Sequence, residues 1–187
     1  TTTATATLAG AYTLRFTETV GSCSTFDDIV VTYTTAPLAD AGTGGDECDL
    51  DFTFGATPSV GTGLWSLVSG PGVITGTPDL TNATEAITVD TYGSYVFRWT
   101  ETNGGCVDSE DITVNFYEDP TANIVAAVAE ECDLIYDAVA VQSVAGSTGL
   151  WTVQVAGPGT ISFGTATQFT TTATATLAGA YTLRFTE

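Results

Sequence analysis

The sequence of 187 residues contains no histidine, no lysine and no methionine. Its only basic side chains are three arginines, against 22 aspartates and glutamates, and the net charge is −19. The lack of histidine excludes Ser-His and Cys-His nucleophile pairs and imidazole metal sites. The lack of clustered lysine and arginine excludes a surface that displaces counterions from phosphates. We therefore expect no nucleic-acid partner and weak attraction to anionic membranes.

Long apolar runs and helical apolar spacing are also missing. No stretch reaches the 18 consecutive apolar residues of a membrane span, and no basic-then-apolar segment opens the chain, so we expect no membrane insertion in this window. Hydrophobic residues nevertheless make up 43% of the sequence and aromatic residues 10%, which is enough for a packed core. Because Thr, Gly, Ser, Val and Ala dominate, the composition predicts an all-β fold.

Internal repeats organise the chain. Residues 1–18, TTTATATLAGAYTLRFTE, recur unchanged as residues 170–187. A weaker repeat relates YTLRFTETVGSCSTFDDIVVTY, which starts at Tyr12, to YVFRWTETNGGCVDSEDITVNF, which starts at Tyr95. The tetrapeptides ECDL and TGLW each occur twice at a similar offset. This pattern is typical of a tandem array of related modules, seen here through a window on something longer.

Prolines mark the predicted module boundaries, since the segments that begin at Pro37 and Pro120 each follow a predicted strand. Residues 1–36 would then be the C-terminal part of one module, and residues 37–119 a complete module. Residues 120–187 would be the N-terminal part of a third module, whose last strands lie outside the window.

Alternating apolar residues and glycine-rich turns predict short strands in the complete module. They lie near 48–54, 64–68, 86–89, 95–101 and 112–117, with an edge strand near Pro37. This spacing favours an immunoglobulin-like sandwich with a core tryptophan on its third strand and a tyrosine corner before its sixth. The residues that this pattern places in a core are Tyr12, Trp65, Tyr95, Trp99, Trp151 and Tyr181.

The motifs GLWS, SGPG, G-x-Y-x-F-R-W-T and NGGC together resemble the PKD-like or Ig-like tandem repeats of giant secreted surface proteins of Bacteroidetes. The resemblance covers the whole chain and extends to gliding-motility adhesins and other type IX secretion cargo. It implies tandem β-sandwich modules, an extracellular location at the cell surface, and a tether moved by the motility machinery.

The four cysteines, Cys23, Cys48, Cys106 and Cys132, match no zinc-site spacing, and disulfides are the interpretation that suits an exported chain. Two pairings stay open. Cys48 and Cys106 would close a loop within the complete module. Alternatively, Cys48 would bond the counterpart of Cys23 one repeat further along and join neighbouring modules, because the second strand and the last hairpin of a sandwich begin at opposite ends.

Arginine and tryptophan recur at fixed positions, and each has a functional and a structural interpretation. Arg15, Arg98 and Arg184 occupy one equivalent position, on the face opposite Tyr95, Phe97 and Trp99 in the complete module. We expect Arg98 to pair with Glu110 or Asp111 across the hairpin rather than to bind a ligand. The phase of Trp65, Trp99 and Trp151 favours burial over stacking on sugars.

Acidic clusters are the remaining candidates for chemistry. Calcium takes carboxylate oxygens from loops of this kind, and intermodule calcium rigidifies some extracellular rods. The weak calcium candidates are Asp27, Asp28, Asp46, Glu47, Glu110 and Asp111. Solvated charge that keeps a long polymer soluble is the alternative. No other cofactor is expected.

The sequence predicts a structural function, a stalk segment of a giant exported adhesin or extracellular filament. Its partners would be neighbouring modules, with surface glycans or other copies of the chain as further partners. A carbohydrate-binding array is one alternative, with Tyr92, Tyr117 and Tyr136 as its loose candidates. A filament built by strand donation is another. We expect no catalytic residues and no enzyme activity, since carboxylate clusters that recur in every module do not mark one active site.

Overall fold

The computed structural model describes residues 1–126 and 128–187, and the fold is all-β. The chain forms two compact units, Thr1–Tyr117 and Glu118–Glu187. Helices long and apolar enough to cross a membrane are not found in the described residues.

The first unit contains eight strands. They are β1 (Gly10–Val20), β2 (Cys23–Tyr33), β3 (Gly45–Glu47), β4 (Asp51–Thr53), β5 (Thr62–Ser69), β6 (Ala86–Thr88), β7 (Gly93–Asn103) and β8 (Cys106–Phe116). The strands β1 and β2 form an antiparallel hairpin with a sheet of its own. Gly21, at φ 62°, supports the tight turn between them, in the left-handed region that glycine adopts without strain.

Residues 37–117 form two sheets around one core. The larger sheet has the order β3-β8-β7-β5, in which β3 runs parallel to β8 and the other pairs are antiparallel. The smaller sheet pairs β4 with β6. Aromatic side chains fill the space between the sheets, and Phe54 stacks on Trp65 with ring centroids 3.9 Å apart. Trp65, Tyr95 and Trp99 are buried in this core, as predicted.

The segment around Pro37 is not the predicted edge strand. Residues 34–44 form no strand, and two carboxylates of β8 hold this part of the chain instead. The Ala39 N–H donates to Asp108 Oδ2 at 2.9 Å, and the Ala41 N–H donates to Glu110 Oε2 at 2.8 Å. Side-chain acceptors thus satisfy backbone donors that a strand would otherwise satisfy through a neighbouring backbone.

The second unit contains six strands. They are β9 (Asn123–Ile124), β10 (Ile135–Val141), β11 (Leu150–Val155), β12 (Ile161–Phe163), β13 (Thr170–Ala175) and β14 (Thr182–Thr186). One sheet has the order β12-β13-β10-β9, and a second pairs β11 with β14. Its smaller core places Trp151 against Phe185, with ring centroids 5.1 Å apart. Trp151 is buried as predicted, whereas Tyr181 is half-buried.

Candidate functional site

Three tyrosines make the same hydrogen bond in three parts of the chain. The hydroxyl of Tyr95 donates to the Thr91 carbonyl at 2.8 Å, that of Tyr181 to Leu177 at 2.8 Å, and that of Tyr12 to Leu8 at 3.0 Å. Each acceptor lies four residues before its tyrosine. Burial, with a contribution from the Asp90 carboxylate, raises the pKa of Tyr95, so the phenol stays protonated and able to donate.

The predicted burial of Tyr12 is wrong. Its side chain is 36% exposed, against 0% for Tyr95. The hydrogen bond that fixes the turn is present at Tyr12 as well. Among the described residues, however, no sheet packs against this face of the β1–β2 hairpin in the way that sheets cover Tyr95. The local pattern therefore specifies the turn, whereas burial requires further strands.

Glu101 is a buried carboxylate that the sequence reasoning missed. It is 1% exposed, and it accepts hydrogen bonds from the Ser59 hydroxyl, from the Ser59 N–H at 2.9 Å and from the Trp99 indole N–H at 3.1 Å. Burial by itself would raise the pKa of Glu101, but these donors outweigh it and the pKa is lowered. The ionised carboxylate thereby anchors the loop between β4 and β5.

Glu187 repeats this arrangement in the second unit. Its carboxylate accepts the Ser143 N–H at 2.8 Å and the Ser147 hydroxyl at 2.5 Å, and hydrogen bonding by Ser147 lowers the pKa of Glu187. The signal was present in the sequence, because a Thr-Glu pair closes each copy of the motif that contains the arginine. Glu101 and Glu187 thus both serve as loop anchors.

The arginines at the equivalent positions are held by cross-strand aspartates. Arg98 forms a two-pronged pair with Asp111 at 2.7 and 2.8 Å, and Arg15 forms the same pair with Asp28 at 2.8 and 2.9 Å. The hydrogen bond from each arginine lowers the pKa of its aspartate. Glu110, the other predicted partner of Arg98, instead accepts a backbone N–H from Ala41.

The calcium candidates do not converge. Asp28 and Asp111 are ion-paired with arginine, Asp46 accepts the Asn115 amide at 2.8 Å, and Asp27 accepts the Asp28 N–H at 2.9 Å. Glu47 lies at the end of β3, where its carbonyl accepts the Tyr117 N–H. In the part of the chain that the structure describes, no three His, Cys, Asp or Glu side chains form a group able to hold a metal ion. A calcium site stays a prediction without support from these positions.

The four cysteines are free in the structure, with Cys23, Cys48 and Cys132 exposed and Cys106 partly buried. The alternative bond between Cys48 and Cys106 is wrong for this fold. Cys106 begins β8, whereas Cys48 follows Glu47, which pairs with the far end of β8. Ten residue steps along a strand separate the two ends by about 33 Å, far beyond the reach of a disulfide.

The tyrosines proposed to contact sugars do not form one row. Tyr92 and Tyr117 are exposed, but Tyr136 is half-buried and packs against the core of the second unit. Trp65, Trp99 and Trp151 are buried, so none of them presents a ring face to solvent. The expected carbohydrate platform therefore has no repeated aromatic surface among the residues described.

The second unit contains a concave feature, a cavity of about 460 Å³. Its wall includes Ile124, Val128, Trp151, Ala173, Tyr181 and Leu183. The indole Nε1 of Trp151 is buried without a hydrogen-bond partner in the described structure, whereas its counterpart in Trp65 donates to the Ala83 carbonyl at 3.2 Å. The core of the second unit is thus less completely closed than that of the first.

No protein-family model matches the sequence, and no curated protein matches it. Similar solved structures include murine CEACAM1b, at 13% identity and a TM-score of 0.39, over 80% of this chain and 90% of that one. An endo-fucoidan hydrolase from glycoside hydrolase family 107 is similar at 11% identity and a TM-score of 0.32, over 97% of this chain. The match spans about a third of that hydrolase, 32% of its length.

The expectation that the chain has no enzyme activity is corrected by this second likeness. Two of the similar structures are forms of an endo-fucoidan hydrolase from glycoside hydrolase family 107. At TM-scores of 0.32 and 0.31 the likeness carries no argument for a hydrolytic site in this chain.

Proposed function

We propose that this chain is a stalk segment of a long, exported, repetitive cell-surface protein, built from immunoglobulin-like or PKD-like modules. The observation that carries the proposal is that the same side-chain hydrogen bonds recur at equivalent positions of the repeated sequence. In three copies of the repeated motif, the tyrosine hydroxyl donates a hydrogen bond to the backbone carbonyl of the residue four positions earlier. A glutamate anchors a serine-containing loop in two copies. The sequence resemblance to surface repeats of Bacteroidetes agrees with this role.

Such hydrogen bonds suit an array, because the stability of each module then depends on contacts within its own segment. The Glu101–Ser59 and Arg98–Asp111 contacts both lie inside residues 37–117. The free energy of unfolding of such an array is close to the sum of the contributions of the single modules and of the contacts between neighbouring modules. The number of modules can therefore change while the sequence of each module stays the same. A net charge of −19 keeps long arrays soluble and opposes their lateral bundling at low salt.

The positions of the cysteines support covalent links between neighbouring modules. Cys23 and Cys106 lie at the turns of equivalent hairpins, and Cys48 lies at the opposite end of its module. In an end-to-end array, opposite ends of neighbouring modules meet. A non-reducing peptide map of the protein isolated from its native source tests this link. We expect Cys48 to be joined to a peptide with the sequence around Cys23, and reduced Cys48 would contradict it.

Location tests the stalk role itself. Antibodies raised against this chain, detected by immunogold electron microscopy on intact producing cells, should label the outside of the cell at several points along one fibre. Pre-immune serum is the matched control. Label confined to the cell interior, or to one point at the distal tip, would overturn the proposal. Movement of the labelled fibres along gliding cells would further support the tether that the resemblance implies.

A further inference from the structure

The segment that leads into β3 is attached to the module almost entirely through side chains. We call residues 34–41 of this segment the strap. Burial alternates along it, and Pro37 and Ala41 are buried. In the described structure a single backbone–backbone hydrogen bond joins the strap to the rest of the unit, from the Thr57 N–H to the Asp40 carbonyl at 2.9 Å. The strap therefore lacks the ladder of backbone pairs that holds each strand of the two sheets.

Four side chains hold the strap, and each binds one of its backbone groups. They are Asp108 on the Ala39 N–H, Glu110 on the Ala41 N–H, Ser59 on the Leu38 N–H and Asn103 on the Thr35 carbonyl, all at 2.8 to 2.9 Å. Asp108 is half-buried and Glu110 is exposed, so water can take the place of the strap at both carboxylates. Ser59 keeps its hydrogen bond to Glu101 when the strap is away. Release of the strap thus leaves no buried charge without a partner.

Glycines separate the strap from β3. Gly42 has φ 75°, in the left-handed region that glycine adopts without strain. Gly44 lies so close to β8 that a Cβ at this position would collide with the Thr113 carbonyl oxygen. Beyond it, β3 is paired with β8 along its whole length. The backbone is therefore fixed from β3 onward and has its greatest freedom just before it.

We propose that the strap detaches from the module as one unit, with a hinge at residues 42–44, while β3 to β8 stay folded. The junction at the start of the module then has two states. With the strap bound, the contact between Asn103 and Thr35 holds the chain that arrives from β2 against the β7–β8 turn. With the strap released, residues 34–44 are a tether of at most about 36–40 Å, and the preceding hairpin reorients freely.

The role of this junction rests on the proposed stalk function. In an array under tension, the load enters each module through its strap, and the least stable contacts of a structure open first. The junction is then stiff at rest and swivels under load, while the core of the module stays folded. Detachment itself is a property of this chain, so it can be measured whether or not the chain forms a stalk.

Amide hydrogen exchange of the full 187-residue chain, followed by NMR, tests the detachment. Asp108→Ala removes the acceptor of the Ala39 N–H, so the informative amide is that of Ala41, whose own acceptor Glu110 is intact. If the strap opens as one unit, the Ala41 amide should exchange roughly tenfold faster. Amides of β7 should change by less than about threefold. Glu110→Ala should have the same effect on the Ala39 amide.

Two results of this experiment would overturn the proposal. Acceleration confined to the amide that lost its acceptor would show that the contacts open one by one. Equal acceleration of the strap and of β7 would show that the strap opens only when the module unfolds.

Asp111→Ala is the matched control. Asp111 lies on the same strand as Asp108 and Glu110, but its carboxylate pairs with Arg98 instead of the strap. We expect exchange of the strap amides to change by less than about threefold. An effect as large as that of Asp108→Ala would assign the acceleration to the loss of any negative charge and would refute the strap contacts as its cause.

Exchange of the unaltered chain in low concentrations of urea keeps the test valid if a variant disturbs folding. Release of the strap exposes little surface, so exchange of its amides should depend weakly on urea. Exchange of β7 amides requires global opening and should depend steeply on urea. Equal slopes for the strap and β7 would contradict local detachment.

Residual dipolar couplings test the flexible state of the junction. In the Asp108→Ala, Glu110→Ala double variant, the couplings of β1–β2 should become smaller relative to those of β7–β8, because the hairpin then moves independently. Unchanged relative couplings would refute the flexible state. Failure of the immunogold experiment would remove the stalk role and leave these results standing, so the two proposals fail separately.

Discussion

The hairpins β1–β2 and β7–β8 have the same geometry but different surroundings. Each consists of two strands of 11 residues in continuous antiparallel register, with a tight turn at a glycine of positive φ. Each carries a tyrosine corner and a two-pronged arginine–aspartate pair. Yet the in-facing side of β7 and β8 is buried, whereas that of β1 and β2 is largely exposed.

This difference shows which features the sequence of a hairpin specifies by itself and which features depend on the strands packed around it. Register, turn and cross-strand pairs arise within the hairpin and are present in both copies. Burial depends on β3, β5 and the smaller sheet, which cover only the second hairpin. Equivalent substitutions in the two hairpins therefore measure how much stability the surrounding strands add.

The largest effect is expected for an isoleucine present in both hairpins. Ile112 is 5% exposed and Ile29 is 62% exposed. Ile112→Ala removes buried methylene and methyl groups and leaves a cavity, so it should reduce the free energy of unfolding by about 2–5 kcal/mol. Ile29→Ala should change it by less than about 0.5 kcal/mol when the chain is monomeric. Hydrogen exchange of the β1–β2 and β7–β8 peptides, measured by mass spectrometry in both variants, compares the two losses. Similar losses for both variants would mean that the first hairpin is covered in solution.

Glu101 and Glu18 form the second matched pair. Glu101→Ala leaves the Ser59 N–H and the Trp99 indole without their acceptor, and we expect a loss of about 1–3 kcal/mol. Glu18 is its exposed counterpart in the first hairpin, and Glu18→Ala should have little effect. Urea unfolding followed by tryptophan fluorescence would compare the two variants. A null result for Glu101→Ala would show that water replaces the carboxylate.

The lowered pKa of Glu101 also predicts the pH dependence of stability. A folded-state pKa below the unfolded value means that the carboxylate stabilises the fold above the unfolded pKa of about 4.3, and that this contribution is lost as the pH falls through the folded value. Stability of the first unit should thus decrease as the pH falls below about 4.3 and through the lower folded-state pKa. Glu101→Gln should flatten this decrease, and an unchanged profile in that variant would assign the acid sensitivity to other carboxylates.

Alternation in the sequence was sufficient to predict the buried tryptophans and the buried Tyr95, because neighbouring strands cover that face. The identical pattern at Tyr12 gave the wrong burial, since a strand's sequence contains no information on whether a sheet packs against it. Glu101 lies in the same in-facing phase as Trp99, but alternation alone does not predict that a carboxylate at this position is buried. Its burial depends on Ser59, which is 42 residues away in the sequence, and such a contact follows from the fold rather than from local pattern.

The tyrosine corners give a third and smaller comparison. Tyr95→Phe removes the hydrogen bond to the Thr91 carbonyl in a buried setting, and the expected loss is about 0.5–1.5 kcal/mol. Tyr12→Phe removes the equivalent bond to Leu8, where water can take its place, so its loss should be smaller. Thermal unfolding of the two variants beside the wild-type chain would measure both. A larger effect at Tyr12 would indicate that the corner nucleates the hairpin independently of burial.

The smallest effect is expected for the arginine–aspartate pairs, where the two hairpins should behave alike. Arg98 and Asp111 remain 43% and 40% exposed at their side chains, and Arg15 and Asp28 are 54% and 34% exposed. Exposed pairs of this kind contribute little and are screened by salt. Arg98→Gln and Arg15→Gln should therefore cause small, similar decreases in melting temperature at low salt, and smaller ones at 1 M salt. If Arg98→Gln alone were costly at 1 M salt, the packing of its aliphatic stem rather than its charge would distinguish the second hairpin from the first.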